Sequence, residues 1–389
     1  MAGKSDGEVV IKITGDDSEF KKTLEGTGKS AAIVTATLVA MGTAAVNAST
    51  KFDAAFAKTQ TIMDATQVSV GDMRKDILDL SAASGMAATD VSEAVYQAIS
   101  GSVATADAAN FVGEANQLAV AGFTSLTNAT DVLTTTLNAY GLEADAVGGI
   151  SNVLIQTQNL GKTSVDELSA SMGKAISTGS AYGVGLTNLS TAYVELTKGG
   201  IATAEATTYI SGMLNELGKS SSKVGKIIQE KTGKSFGQLM QDGWSLADVL
   251  DVLMQSVDGN SEALMQLWSS QEAGKAANAL AVQGFDDFNN VLAKMEREMD
   301  GAATTTKDAY SIMTDTSEFV DTRFKNSLAN LGVAAGDQLR PALDGVKKGI
   351  TDVLEIGTNI ITGFPEISAG VAGVAAATGT LAIAIGGLM

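Results

Sequence analysis

The chain has 389 residues, 45% of them hydrophobic, which is enough for two or more packed units at roughly 150 residues per domain. It contains no histidine and no cysteine, which excludes the usual proton shuttle near neutral pH, thiolate catalysis, disulfides and the common structural zinc sites. A net charge of −18 argues against binding to duplex nucleic acid through phosphate neutralisation. Glycine is abundant (42) and proline rare (2), which favours helices joined by glycine-containing turns.

The first 60 residues are predicted to form a short strand segment, 1–16, and a long helix, 17–60. The strand is Val9–Thr14, which alternates and is rich in β-branched residues. Ser30–Thr50 carries no charge and is long enough to cross a bilayer. Its Ala, Ser and Thr content favours a helix buried against copies of itself over a membrane span. Because no apolar run adjoins the first lysine, we expect no signal peptide and a start in the cytoplasm.

Residues 61–300 are predicted to form a compact array of short helices. Thr89, Ser164 and Ser245 each precede an apolar run with helical spacing, as N-cap residues do. The last two are followed three residues later by a carboxylate, the capping-box pattern. The expected fold class is therefore mainly α.

The pattern changes after Gly301, where residues 301–364 are predicted to form a coiled-coil-like helix. Apolar residues follow spacings of three and four with one discontinuity near Pro341. The predicted contacts are Phe324, Leu328, Leu331, Leu339, Leu343, Val346, Ile350 and Val353. This array of short helices is thus expected to be flanked by long coiled-coil-like helices.

The final segment, 365–389, is predicted to be an apolar helix, either transmembrane or buried. Ile367–Met389 carries no charge, and small residues recur in a way that lets apolar helices approach closely. The predicted membrane or oligomer contacts are Ala369, Gly373, Ala377, Leu381 and Ile385. Because the apolar run stops without anchoring residues, we expect the natural chain to continue beyond Met389.

The motifs that could indicate a phosphate-binding or catalytic site do not meet the requirements of such sites. Gly-Lys-Ser/Thr triplets begin at Gly3, Gly28, Gly161, Gly218 and Gly233. The four later ones lack the glycine five positions earlier that a phosphate-binding loop needs, the first has no residue so far back, and a helix end is the better interpretation. Adjacent carboxylates such as Asp166 and Glu167 point about 100° apart on a helix and do not aim at one substrate. We therefore expect no catalytic residue, no metal site, no cofactor and no enzyme activity in this region.

One stretch, Lys219–Lys234, is locally basic, with five lysines against Glu230. It has no interleaved aromatic residues, and a solvated helix face is the preferred interpretation. No specific nucleic-acid binding is expected.

The segment from about Phe52 to Pro341 resembles the core region shared by many phage tail tape-measure proteins. Blocks in the expected order carry the resemblance: KFDAAFAKTQTIMDAT, SGMAATDVSEAVYQAISG, ANQLAVAGFTSLTNATDVLTTTLNAYGL, TSVDELSASMGKAIS, YGVGLTNLSTAYVELTKGGIATAEATTYISGML and LGVAAGDQLRPALDGV. No single block is diagnostic. Their order and spacing over nearly three hundred residues are more specific than any short motif.

The resemblance implies a structural protein inside the tail tube that sets tail length during assembly and leaves ahead of DNA at ejection. It implies as partners other copies of itself, as a trimer or hexamer, the tail tube protein, tip or baseplate proteins, tail assembly chaperones and, transiently, the host inner membrane. Three alternatives remain: a pore-forming helical toxin, the equivalent protein of a phage-derived bacteriocin particle, and a cell-wall hydrolase.

Overall fold

The computed structural model describes residues 47–327, 329–330 and 332–333. The chain divides into two units, one of Met1–Thr50 with Leu331–Met389 and one of Lys51–Asn330. The first lies almost entirely outside the described residues, and so do the predicted strand Val9–Thr14 and the segment 365–389. The second, Lys51–Asn330, is named the compact unit.

The compact unit is built of helices, and the described residues contain no strand, which confirms the mainly α class. A first helix, α1, spans 47–60 and a last one, α18, begins at 317. Between them lie α2 (Val70–Ser84), α3 (Ala88–Ser100), α4 (Ala108–Ala121), α5 (Leu126–Tyr140), α6 (Val147–Leu160), α7 (Val165–Ser171), α8 (Gly173–Ala181), α9 (Leu186–Lys198), α10 (Thr203–Gly218), α11 (Lys223–Thr232), α12 (Phe236–Gln241), α13 (Leu246–Gln255), α14 (Ser261–Met265), α15 (Gln271–Gln283), α16 (Phe285–Met299) and α17 (Thr305–Thr314). A short 3-10 turn, Ala144–Ala146, precedes α6.

Serine N-caps start many of these helices, as the sequence indicates. The Ser164 hydroxyl accepts from the Glu167 backbone N–H, and Ser245 and Asp248 form a reciprocal capping box. Both predicted N-caps are therefore confirmed. The predicted N-cap at Thr89 is wrong, because α3 begins at Ala88 and its N-cap, Ala87, makes no side-chain hydrogen bond.

Several helices end in the same tight turn. A residue with positive φ is followed by a residue whose N–H donates to the carbonyl five positions earlier in the chain. The N–H groups of Val184, Ile201 and Trp244 close such turns after Gly183, Gly200 and Gly243. Phe123 occupies the positive-φ position of one such turn, with φ 55°, and its side chain is 66% exposed. A bulky residue in this conformation is unusual, because its Cβ crowds the backbone.

The core is centred on α9, in which ten of thirteen residues are buried. It contacts α6, α8, α10, α15 and α16. Tyr193 is fully buried there, its hydroxyl lies 2.5 Å from that of Thr207 on α10, and burial raises the pKa of Tyr193. The hydroxyls of Tyr193 and Thr207 thus pair across two core helices.

The amino-terminal edge of the compact unit is fixed by α1, within the segment predicted as a long helix. Phe52 and Phe56 are fully buried and stacked, with ring centroids 5.8 Å apart. The Arg74 guanidinium of α2 lies 4.7 Å from the Phe52 ring centroid and bonds the Asp53 carboxylate at 2.8 Å. The compact unit therefore begins before residue 61.

Candidate interaction surface

The segment after Met299 returns to the first helices of the compact unit. Asn152 of α6 holds the turn: its amide donates to the Ala303 carbonyl and accepts from the Thr306 N–H, both at 2.9 Å. A Cβ at Gly149 would lie 2.3 Å from the Met299 carbonyl oxygen, so only glycine permits this approach. From this turn α17 packs against α4 and α6.

The next helix, α18, lies against the carboxyl-terminal end of α2. Its Arg323 Nε donates to the Ala82 carbonyl at 3.1 Å, and the Asn326 amide donates to the Gly85 carbonyl at 2.5 Å. Asn330 donates to the Ser81 hydroxyl at 2.9 Å. Polar side chains of α18 thus bond backbone carbonyls and a hydroxyl at the end of α2.

One aromatic residue completes this contact. The Phe319 ring lies edge-on to Tyr310 of α17, with centroids 6.4 Å apart. It also lies over Gly85, where a Cβ would be 3.3 Å from the ring. Burial raises the pKa of Tyr310. These rings hold α17 and α18 together at the surface of α2.

Three apolar side chains of the same segment point outward. Ile312 is 73% exposed, Val320 59% and Phe324 64%. Val320 and Phe324 are one helical turn apart and share a face of α18. Phe324 is one of the predicted coiled-coil contacts and stays a prediction. Val320, one turn earlier at a spacing of four, is not among the predicted contacts.

The other predicted contacts lie outside the described residues. These are Leu328, Leu331, Leu339, Leu343, Val346, Ile350 and Val353 of the coiled-coil stripe and Ala369, Gly373, Ala377, Leu381 and Ile385 of the apolar segment. They stay predictions. Among the described residues, none of the helices combines the length and the hydropathy that a bilayer crossing requires.

The motifs that first suggested chemistry have structural roles. Asp166 accepts from Thr124 at 2.7 Å and from Asn128 at 3.0 Å, and these bonds lower the pKa of its carboxyl group. Its neighbour Glu167 accepts instead from Thr203 at 2.7 Å. The two carboxylates therefore join different helices and do not face a common substrate.

The three triplets within the described residues have their glycines at helix ends, as predicted: Gly161 caps α6, Gly218 is the last residue of α10 and Gly233 caps α11. The described part of the chain holds no group of three or more acidic side chains arranged to bind a metal ion. The lysines of Lys219–Lys234 are exposed, which confirms the solvated face.

The chain is similar in sequence to a known protein family and to two known phage proteins. The phage-related minor tail protein family matches residues 74–267, from α2 to the turn after α14. Over these residues the chain is similar to that family. A probable tape measure protein of Clostridium phage phiCD119 is 30% identical over 348 residues, 87% of this chain and 36% of that protein. The tape measure protein of Pneumococcus phage Dp-1 is 22% identical over 374 residues, 94% of this chain and 32% of that protein.

The predicted resemblance to the core region of tape-measure proteins is thereby confirmed. The chain spans about a third of the length of these two relatives. No solved structure matches the chain.

Proposed function

We propose that this chain is part of a tail tape-measure protein, which sets the length of the tail tube during assembly. The observation that carries the proposal is the similarity to two tape measure proteins over nearly the whole of this chain. Its site of action is the lumen of the tail tube in the virion.

The compact unit is better suited to hold one end of the tape-measure protein in place than to span the length of the tail. A compact protein of its size, Lys51–Asn330, has a radius of gyration of about 19 Å, whereas the same residues in one helix would reach about 420 Å. Length is therefore set by sequence outside this unit, and the unit holds one end of the ruler. Tube, tip and chaperone proteins are the partners proposed for it.

The test is tail length. Inserting 42 residues of coiled-coil sequence after Asn330 is expected to lengthen tails by about 63 Å, at about 1.5 Å per residue, as measured by electron microscopy. As a control, 42 Gly and Ser residues are inserted after Gly259, an exposed turn of the compact unit, and tails should keep their length. Unchanged tails after the first insertion would refute the ruler role.

Self-association through the outward face of α18 is the second part of the proposal. The exposed Val320 and Phe324 continue, in sequence, into the stripe that runs to Val353 with spacings of three and four. Phe324→Asp is expected to dissociate the oligomer in light scattering. Phe123→Asp is the matched control, because Phe123 is equally exposed and Asp tolerates its positive φ. A monomeric parent chain, or a Phe324→Asp chain that stays assembled, contradicts this part.

A role in DNA passage through the host inner membrane is the third part, supported by the uncharged sequence Ile367–Met389. A peptide of these residues is expected to enter lipid vesicles as a helix, and failure to partition would refute the role. Neighbouring tail genes distinguish a tape measure from a pore-forming toxin. DNA in the purified particle distinguishes a phage from a bacteriocin particle.

A further inference from the structure

Helix α18 contacts α2 through a face on which three polar side chains accompany Phe319. An amphipathic surface helix ordinarily buries its apolar stripe and exposes its polar one. Here Arg323, Asn326 and Asn330 contact α2, while Val320 and Phe324 face solvent.

The two sets occupy separate stripes. Arg323, Asn326 and Asn330 are spaced by three and four, so they share one face of the helix. Val320 and Phe324 lie on a second face, rotated from the first by roughly 110° at about 100° per residue. One helix can therefore use both faces at the same time without steric conflict.

The polar face of α18 supplies hydrogen-bond donors to the carbonyls at the end of α2. The last carbonyls of a helix have no partner within the helix, and cations are favoured near them. Arg323 brings a guanidinium N–H to the Ala82 carbonyl, and Asn326 brings an amide N–H to the Gly85 carbonyl. Gly85, with φ 73°, has no Cβ to hold the Phe319 ring away. The contact is directional, since each bond requires its own alignment.

We propose that α18 binds two partners at once: the carboxyl-terminal end of α2 in its own chain, and a second copy of α18 through Val320 and Phe324. The end of α2 then fixes the orientation of each compact unit around the shared helices. The inference rests on the proposed self-association and adds to it a defined arrangement of the copies. A second copy is the occupant because the outward stripe continues in this chain's own sequence with coiled-coil spacing.

Because the chain has no native cysteine, a single introduced cysteine can carry a spin label that reports how the copies are arranged. Glu230 is exposed on α11, so Glu230→Cys carries one spin label per chain at a site remote in sequence from α18. In the assembled full chain, distances between labels of different copies should form a narrow distribution. In the triple variant R323A/N326A/N330A the oligomer should keep its mass while the distribution broadens at least twofold.

The control is Lys325→Ala, which lies on neither stripe of α18 and should leave the distribution narrow. A triple variant that stays assembled with a narrow distribution would overturn the inference alone. A triple variant that becomes monomeric would also overturn it, because the two faces would then not act independently. A monomeric parent chain would instead overturn the self-association on which the inference rests.

Discussion

Glu216, near the end of α10, joins that helix to the start of α15. Its carboxylate accepts from the backbone N–H of Ser269 at 2.7 Å, the N–H of Ser270 at 2.8 Å and the Ser270 hydroxyl at 2.9 Å. We expect Glu216→Gln to lower the free energy of unfolding by about 1–3 kcal/mol at pH 7, because a charged acceptor of backbone N–H groups is replaced by a neutral one. Urea unfolding measures the change, with the exposed Glu230→Gln as control.

The same carboxylate gives a pH dependence. Burial is the largest influence and opposes ionisation, but the bonds from Ser269 and Ser270 together outweigh it and lower the pKa of Glu216 below its ordinary 4.5. Its contribution to stability is therefore fully present above about pH 4.5 and is lost as the pH falls through the lower, folded-state pKa. The difference between the parent chain and Glu216→Gln should shrink in acid; a difference that stays constant would contradict this assignment.

At Phe123 we expect a substitution to raise stability rather than lower it. It is largely exposed and adopts φ 55°, a conformation that disfavours a bulky residue by about 1–2 kcal/mol. Phe123→Gly should therefore stabilise the compact unit by about 0.5–1 kcal/mol in thermal unfolding, the gain being reduced by the greater freedom of glycine in the unfolded chain. Destabilisation would mean that the phenyl ring has a packing role.

At the scale of elements, alanine substitutions at two adjacent glycines of α6 distinguish the effect of helix propensity on stability from the effect of packing. Gly149→Ala places a methyl group 2.3 Å from the Met299 carbonyl oxygen and should cost about 1–3 kcal/mol by forcing α16 away. Gly148→Ala meets nothing within 4 Å and should stabilise α6 by about 0.5 kcal/mol. Equal effects of the two substitutions in urea unfolding would show that α6 and α16 do not depend on this close contact.

Sequence reasoning succeeded where the cause of a structure is local. The caps at Ser164 and Ser245 depend on a residue three positions away, and Gly233 ends α11 for a local reason as well. The bond from Asn152 to Ala303 joins residues 151 positions apart, and no local pattern announces it. The polar stripe of α18 is visible as spacing, but the end of α2 that it contacts is distant in the chain.

At the scale of the whole molecule, the boundaries of the compact unit can be tested by truncation. A fragment of residues 51–330 should unfold in urea with a higher midpoint than a fragment of 61–300, the predicted array. The shorter fragment loses Phe52 and Phe56, each fully buried and contributing about 1.5–3 kcal/mol. It also loses Ala303 and Thr306, whose backbone groups pair with the Asn152 amide, so that amide is left without partners.

The slope of the transition adds a second criterion, because it scales with the surface exposed on unfolding. The longer fragment should show one cooperative transition with the steeper slope, since α1, α17 and α18 add buried surface against α2, α4 and α6. Identical midpoints and slopes would mean that these terminal helices fold apart from the array. The end of α2 could then not orient one copy relative to another, because α18 would not be held on it.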